Sequence, residues 1–305
     1  MNDQAKPFRP LLAATIEQDK DLLKLEYPLV ASPKVDGIRV LCHPIHGPCT
    51  RSLKAVPNVH IRTLLTDPWL HCLDGEITQG PIAAIDVFNR TTSAVMTQSG
   101  EPEFTYWVFD DFTTQTQPYI ERLVAAKSRV MRADLSYVKP LPSEFVENPE
   151  DVLEAEREHI AAGFEGIMLR HKSGPYKWGR STLKQQTLMK LKRFCDAEAE
   201  IIGFEPLLRN TNEATRNILG LTERTSHKAG KVQAETLGNL LVRDLSGRFA
   251  EFSVGSGFDQ ELRDIIWSNR DSYRGQIITY KYQNCGVVEA PRFPIFKGFR
   301  YDAET

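Results

Sequence analysis

Asn148-Pro149-Glu150-Asp151, running on to Gly163-Phe164-Glu165-Gly166-Ile167-Met168-Leu169-Arg170, decides the fold class. It opens with an amide N-cap, proline at the first helical position and acids against the helix dipole. Val152, Leu153 and Ile160 then share one face, Gly163 stops the helix, and Phe164–Arg170 reads as a buried strand. Working outward, similar apolar runs recur at Ile38–Cys42, Tyr106–Phe109, Leu188–Leu191, Ile201–Phe204, Leu237–Val242, Phe249–Val254 and Ile277–Tyr282. These strands outnumber helices and are often not separated by them, which predicts an α+β protein with antiparallel sheets.

After Phe194 the chain becomes short strands and turns with one helical piece near Asp259–Trp267, so a domain boundary falls near Phe194–Ala197. The second part has the size of an OB-type barrel. Inside it, Asn210–Glu235 shows no clear periodicity and is rich in Thr, Asn, Lys and Arg; a structureless loop of that length is usually functional or disordered.

The chain has 305 residues, 41% apolar and 26% charged, which excludes whole-chain disorder, collagen and coiled coil. Five cysteines without a CxxC pair argue against a disulfide framework or a tetrathiolate zinc site. The start carries no basic-then-apolar leader, and no apolar run is long enough to span a membrane; the expectation is a soluble intracellular protein without membrane contact, cytoplasmic unless it acts in a nucleus or at a viral replication site. A formal charge of −2 argues weakly against nucleic acid. The partition of charge says otherwise. Asp134–Glu158 holds eight acids against two bases, whereas Arg170–Phe194 holds eight bases and no acid. Arg209–Lys231 adds five bases against two acids. A near-neutral total thus coexists with locally positive surface of the kind that polyphosphates select, although either stretch alone would pass as a solvated face.

Lys34-Val35-Asp36-Gly37-Ile38-Arg39 lies between an apolar approach and a strand, with Gly37 permitting a tight turn. By itself it is short, and Lys34 could be a surface lysine paired with Asp36. Two carboxylates strengthen the case: Glu76 in Leu73–Ile77, and Glu165, which shares a face with Ile167 and Leu169 if the segment is extended. Acids aimed into an apolar pocket need a positive partner, either a divalent ion or a lysine. In Leu188-Met189-Lys190-Leu191-Lys192 the alternation puts both lysines on one side of a strand, where they call for an anion such as phosphate, or else guard a sheet edge. Together these residues fit a lysine nucleophile attacking a nucleotide α-phosphate. A free lysine is neutral in about one molecule per thousand at pH 7.5, so neighbouring cations and a metal are expected to lower the Lys34 pKa by about two to three units.

With these residues in order, the sequence resembles the covalent nucleotidyltransferase superfamily, and within it the minimal ATP-dependent DNA ligases of the chlorella virus type. The resemblance runs through Pro10–Thr15, Lys34–Arg39, Asp74-Gly75-Glu76, Thr92–Met96, Tyr106–Asp110, Phe164–Arg170, Tyr176–Lys184, Lys190-Leu191-Lys192 and Pro291–Phe296 with Arg300. It implies a nucleotidyltransferase domain over residues 1–194 and a β-barrel OB-fold domain over 195–305. It also implies an ATP-dependent DNA ligase that seals 3′-OH/5′-phosphate nicks through lysyl-AMP and adenylated DNA, in repair, replication or recombination.

The resemblance makes Lys34 the adenylated nucleophile, with Asp36 and Arg39 at the nick and nucleotide. Glu76 and Glu165 would support ribose and Mg²⁺ (or Mn²⁺), Phe109 would stack on adenine, and Lys190 and Lys192 would hold the α-phosphate. Arg180, Arg292 and Lys297 would contact phosphate or pyrophosphate of ATP. DNA would meet Arg39, Arg51, Lys54 and Arg180, together with Arg209, Arg216, Arg224, Lys228 and Lys231 of a latch at about 210–235. With Lys34 so near the start, no separate N-terminal DNA-binding domain is expected, and a monomer would encircle nicked duplex through that latch, disordered until DNA arrives. One departure is Ser32, where many relatives carry an adenine-reading acid; the chlorella virus type also has a small hydroxyl residue there. The alternatives are an RNA-capping guanylyltransferase, which shares the lysine chemistry, and a noncatalytic nick-binding module.

Overall fold

A computed structural model of the chain describes residues 8–217, 220–283 and 289–300. The chain divides into two compact units, Met1–Lys192 and Arg193–Thr305.

In the first unit the strands are β1 (Leu11–Leu12), β2 (Ala14–Ile16), β3 (Leu29–Pro33), β4 (Ile38–His43), β5 (Gly47–Thr50), β6 (Leu73–Thr78), β7 (Thr105–Asp111), β8 (Val138–Pro140), β9 (Glu144–Val146), β10 (Ile167–His171), β11 (Gly179–Arg180) and β12 (Met189–Leu191). The helices are α1 (Val59–Leu64), α2 (Val87–Met96), α3 (Tyr119–Ala133) and α4 (Pro149–Ala161). One five-stranded sheet runs β2-β12-β10-β3-β9, the other β5-β4-β6-β7-β8. The antiparallel expectation holds for most pairs, but β1–β11, β2–β12 and β7–β8 are parallel.

Each sheet is covered by helices that bury one face. Val152 and Ala155 of α4 pack with Leu29, Ala31, Ile167, Leu169 and Met189 of the first sheet. Val95 of α2 and Ala126 and Val130 of α3 pack with Val40, Ile77, Tyr106 and Val108 of the second. The α4 start is capped as read: Asn148 Oδ1 accepts from the Asp151 amide at 2.9 Å, and the Asp151 carboxylate accepts from the Glu147 amide at 2.8 Å. Gly163, at φ +98°, follows its end.

The second unit contains β13 (Cys195–Asn210), β14 (Ala214–Arg216), β15 (Thr222–Arg224), β16 (Lys231–Asp244), β17 (Glu251–Val254), α5 (Gln260–Ser268), α6 (Arg270–Tyr273), β18 (Ile277–Gln283) and β19 (Arg292–Phe299). Its sheet runs β17-β16-β13-β18-β19. Register shifts along β13 bend it, and a bridge from Ser256 to Ile295 brings the chain after β17 back against β19. Ile201, Val242, Val254, Ile278 and Tyr280 fill the interior, closed by Ile266 of α5.

Asn210–Glu235 differs from its expected lack of regular structure. The β13–β16 ladder continues out to Asn210↔Lys231, and β14 and β15 pair beyond it. Both faces of this extension meet solvent, with Leu208, Leu221 and Val232 more than half exposed, so no buried side imposed an alternation on the sequence. Backbone pairing and side-chain amides hold it instead: Asn212 Nδ2 donates to the carbonyls of Thr225 and His227 at 2.9 and 3.0 Å.

Candidate active site

Lys34 follows β3, and its own backbone prolongs the β3–β10 ladder. Its amide donates to the Gly166 carbonyl at 2.8 Å, and its carbonyl accepts from the Glu165 amide at 3.2 Å. β3 pairs with β10 at Pro33↔Ile167, and β10 with β12 at Ile167↔Leu191. Carrying both registers one residue further sets Lys34, Gly166 and Lys192 in one row; two residues along, Ser32, Met168 and Lys190 form the next row on the same side. The middle of the first row must lack a side chain. Gly166 has φ +145°, and a Cβ there would lie 2.3 Å from the Leu191 carbonyl oxygen.

That geometry corrects one detail of the sequence reading. β10 begins at Ile167, so Glu165 precedes the strand rather than lying on it, and the Gly166 backbone carries the Glu165 carboxylate into the row of lysines. Glu165 is buried; one oxygen accepts from Lys34 Nζ, the other from Lys192 Nζ at 3.3 Å. Gly37 also has a different reason from the one anticipated. A Cβ there would meet the Ile77 carbonyl oxygen at 2.1 Å and Glu76 Cγ at 2.9 Å, so its role is close approach of the Lys34–Arg39 segment to β6.

Without nucleotide or metal, the direction at Lys34 is the opposite of the one expected when both are bound. Burial lowers its pKa, but the adjoining Glu165 carboxylate, followed by Glu76 and Asp36, outweighs burial and raises it above the ordinary lysine value. Without nucleotide the amine is thus held as an ammonium. The cationic field falls on Lys190 instead, which burial, Lys192, Lys34 and Arg180 push down. Glu76 is pushed up to about 7 by burial, against the opposing pull of Lys34 and Arg39. Lys34, Lys190, Lys192, Glu76, Glu165, Asp36 and Arg180 are therefore brought into one electrostatic neighbourhood. Asp36 and Lys192 also make other contacts.

Arg39, on β4, is anchored rather than open. Its Nε donates to Asp74 Oδ1 at 2.8 Å, its Nη2 to Asp74 Oδ2, and its Nη1 to the Leu11 carbonyl at 2.7 Å. Phe109, half-buried on β7, has Arg39 at 5.6 Å and Arg170 at 5.4 Å from its ring centroid. Behind it, Asp110 is fully buried and accepts from Arg122 Nε at 2.9 Å and from Arg170 Nη1. Asp74, Asp110, Arg122 and Arg170 had no role in the sequence reading. The signal was available for two of them, since Asp74 and Asp110 are polar residues in strand runs where burial demands a cation.

The remaining predicted residues stand elsewhere. Arg51 and Lys54 are exposed after β5. Arg180 is exposed on β11 and donates to the Ala13 carbonyl at 2.7 Å. In the second unit, Arg209, Arg216, Arg224, Lys228 and Lys231 are exposed along the β13–β16 extension and its hairpin. Arg292 opens β19, beside the Phe293 ring at 5.0 Å, and Lys297 donates to Asp196 at 2.6 Å. Cys42, Cys49, Cys72 and Cys195 are free, and Cys285 lies outside the described residues. Among the described residues no group of three His, Cys, Asp or Glu side chains converges, and no helix is long and apolar enough to cross a membrane.

Known proteins are similar to this chain in the following way. A sequence model of the DNA ligase OB-like domain matches residues 229–300. The crystal structure of chlorella virus DNA ligase-adenylate is 35% identical, covers 96% of this chain and 99% of its own, and superposes with a TM-score of 0.54. A Lig E DNA ligase, 22% identical with a TM-score of 0.68 over 95% of this chain and 98% of its own, shares the fold. The DNA ligase of African swine fever virus, from a warthog isolate, is 27% identical over 105 residues, 33% of this chain, and that match spans about a quarter of the length of this curated relative.

Proposed function

Because the chain belongs to the DNA ligase family, we propose that it is an ATP-dependent enzyme that seals 3′-OH/5′-phosphate nicks in duplex DNA. In this reading the Lys34 amine displaces pyrophosphate from ATP to form lysyl-AMP. AMP then passes to the 5′-phosphate at the nick, and the adjacent 3′-hydroxyl displaces it.

The observation that carries the reading is the shared carboxylate: Glu165 accepts from Lys34 and Lys192 at once, beside Lys190, whose pKa burial and the neighbouring cations lower. Such a cluster has a surplus of positive charge where a phosphate would sit, and its lysines can stabilise charge on the α-phosphate. Lys34 must give up its proton before it attacks, which requires Glu165 to release it. An arriving nucleotide would draw Lys190 and Lys192 to its phosphates. Phe109, half-buried on β7, offers the base a ring to stack on.

Carboxylates beside a phosphate site suit Mg²⁺, which keeps several waters and takes one or two carboxylates plus phosphate oxygens. Glu76 and Glu165 would hold it, and it would neutralise charge developing on the phosphates. Ser32 shares a side with Lys34 and offers a hydroxyl rather than a carboxylate, so adenine selection would rest on backbone and stacking. The second unit would act as an OB-fold domain. Its exposed β13–β16 extension would be the latch closing a monomer around nicked duplex, and Arg292 and Lys297 would serve the pyrophosphate portion of ATP.

The test is incubation with ATP or GTP labelled at the α-phosphate, plus Mg²⁺. Covalent label from ATP, lost in Lys34→Ala, followed by sealing of nicked DNA, is the expected result. Label from GTP alone would make the protein a capping enzyme, and label from neither would leave a nick-binding module.

A further inference from the structure

We propose that Tyr176 is a positioning residue for strand sealing, acting through Asp74 to aim Arg39 at its anionic ligand. The inference rests on the ligase reading and deepens it, since no chemical part falls to Tyr176 there.

The geometry is a closed socket. Asp74 is fully buried on β6, and its Oδ2 accepts both from Arg39 Nη2 and from the Tyr176 hydroxyl, the latter at 2.8 Å. Arg39 spends three of its five N–H groups on Asp74 and the Leu11 carbonyl, which leaves two for an anion. A guanidinium binds a phosphate well only when its plane is set beforehand. That plane is set here by the carboxylate, and one oxygen of the carboxylate is in turn held by the phenol.

The phenol itself is held independently of its hydroxyl. Its ring is buried, 5.5 Å from the Phe112 ring and 6.4 Å from the Phe8 ring, and the Arg122 guanidinium lies 5.8 Å away. The Tyr176 amide donates to the Gln115 carbonyl at 2.8 Å. Tyr176→Phe therefore removes one hydrogen bond to a charged group and little packing, which makes it a clean probe.

The experiment is a double-mutant cycle on single-turnover sealing of nicked duplex, comparing the parent, Tyr176→Phe, Arg39→Ala and the double variant, with melting temperatures alongside. Tyr176→Phe should slow sealing about 10-fold, the worth of a hydrogen bond to a charged group, while melting within a few degrees of the parent. Arg39→Ala should be slower still. The double variant should match Arg39→Ala within about two-fold, because once the guanidinium is gone nothing remains for the phenol to aim.

Multiplying effects in the double variant would overturn the inference and leave the role of Arg39 standing. So would unimpaired sealing by Tyr176→Phe. Collapse of its fold would do the same, since the hydroxyl would then be holding the core rather than the arginine. Normal sealing by Arg39→Ala would overturn the role given to Arg39, and the inference with it.

Discussion

Glu76→Gln should make the ligand-free protein more stable above pH 7 while leaving it nearly unchanged near pH 4.5. The Glu76 carboxyl has an ordinary value of 4.5 and is pushed up to about 7 in the folded chain, chiefly by burial. The folded state therefore holds this proton more tightly than the unfolded state does. Its stabilising contribution is complete below about pH 4.5, falls as pH rises through the interval, and is gone above about pH 7. At about 1.4 kcal/mol per tenfold change in proton affinity, the full swing is up to about 3 kcal/mol. Glutamine keeps the shape, cannot ionise, and escapes that loss. Urea unfolding without nucleotide or metal should show variant and parent converging near pH 4.5 and separating towards pH 8. The melting temperature at pH 8 should rise by about 5–10 °C for a unit of this size. Parallel stability curves over the whole range would refute the reasoning, for they would mean that Glu76 is no more desolvated in the fold than out of it. The gain comes with lost ligase activity if Glu76 serves the metal or ribose, a trade common at active sites.

Asp110→Asn would leave two buried guanidiniums facing a neutral amide, and should lower unfolding free energy by about 3–5 kcal/mol, read from the urea midpoint. Glu154→Ala, at an exposed pair with Arg157 on α4, should change it by less than about 0.5 kcal/mol. Gly166→Ala forces a Cβ against the Leu191 carbonyl at a φ that side chains avoid, and should cost about 2 kcal/mol or more; covalent labelling of Lys34 should fall with it, whereas normal labelling would mean the lysine row tolerates a spacer. Limited trypsin digestion should cut the exposed segment at Arg216, Arg224 and Lys228 more slowly once nicked duplex is added; the same rate with and without DNA would count against the latch.

Read alone, the sequence marks those elements whose buried face shows as an apolar run or whose helix ends carry capping residues, and it passes over α2 and α3, which bury a face as well. Apolar runs marked β4, β7 and β18, and strict alternation marked β12, because part of each must leave water, and Asn148, Pro149 and Gly163 fixed both ends of α4 through backbone chemistry that acts within a few residues. It also marked Lys34, Glu76, Glu165, Lys190 and Lys192, since charges embedded in apolar runs need a partner somewhere. The β13–β16 extension stayed illegible because both its faces are wet and its order lies in backbone pairing, to which side-chain pattern is blind. Which charge meets which is a matter of tertiary contact. Residues 34, 166 and 192 share a row through two strand registers, and Arg39, Asp74 and Tyr176 meet across 137 positions of chain. The sign of the Lys34 shift depended on that pairing, since a carboxylate in direct contact outweighs burial and more distant cations, and no spacing along the chain encodes such a distance.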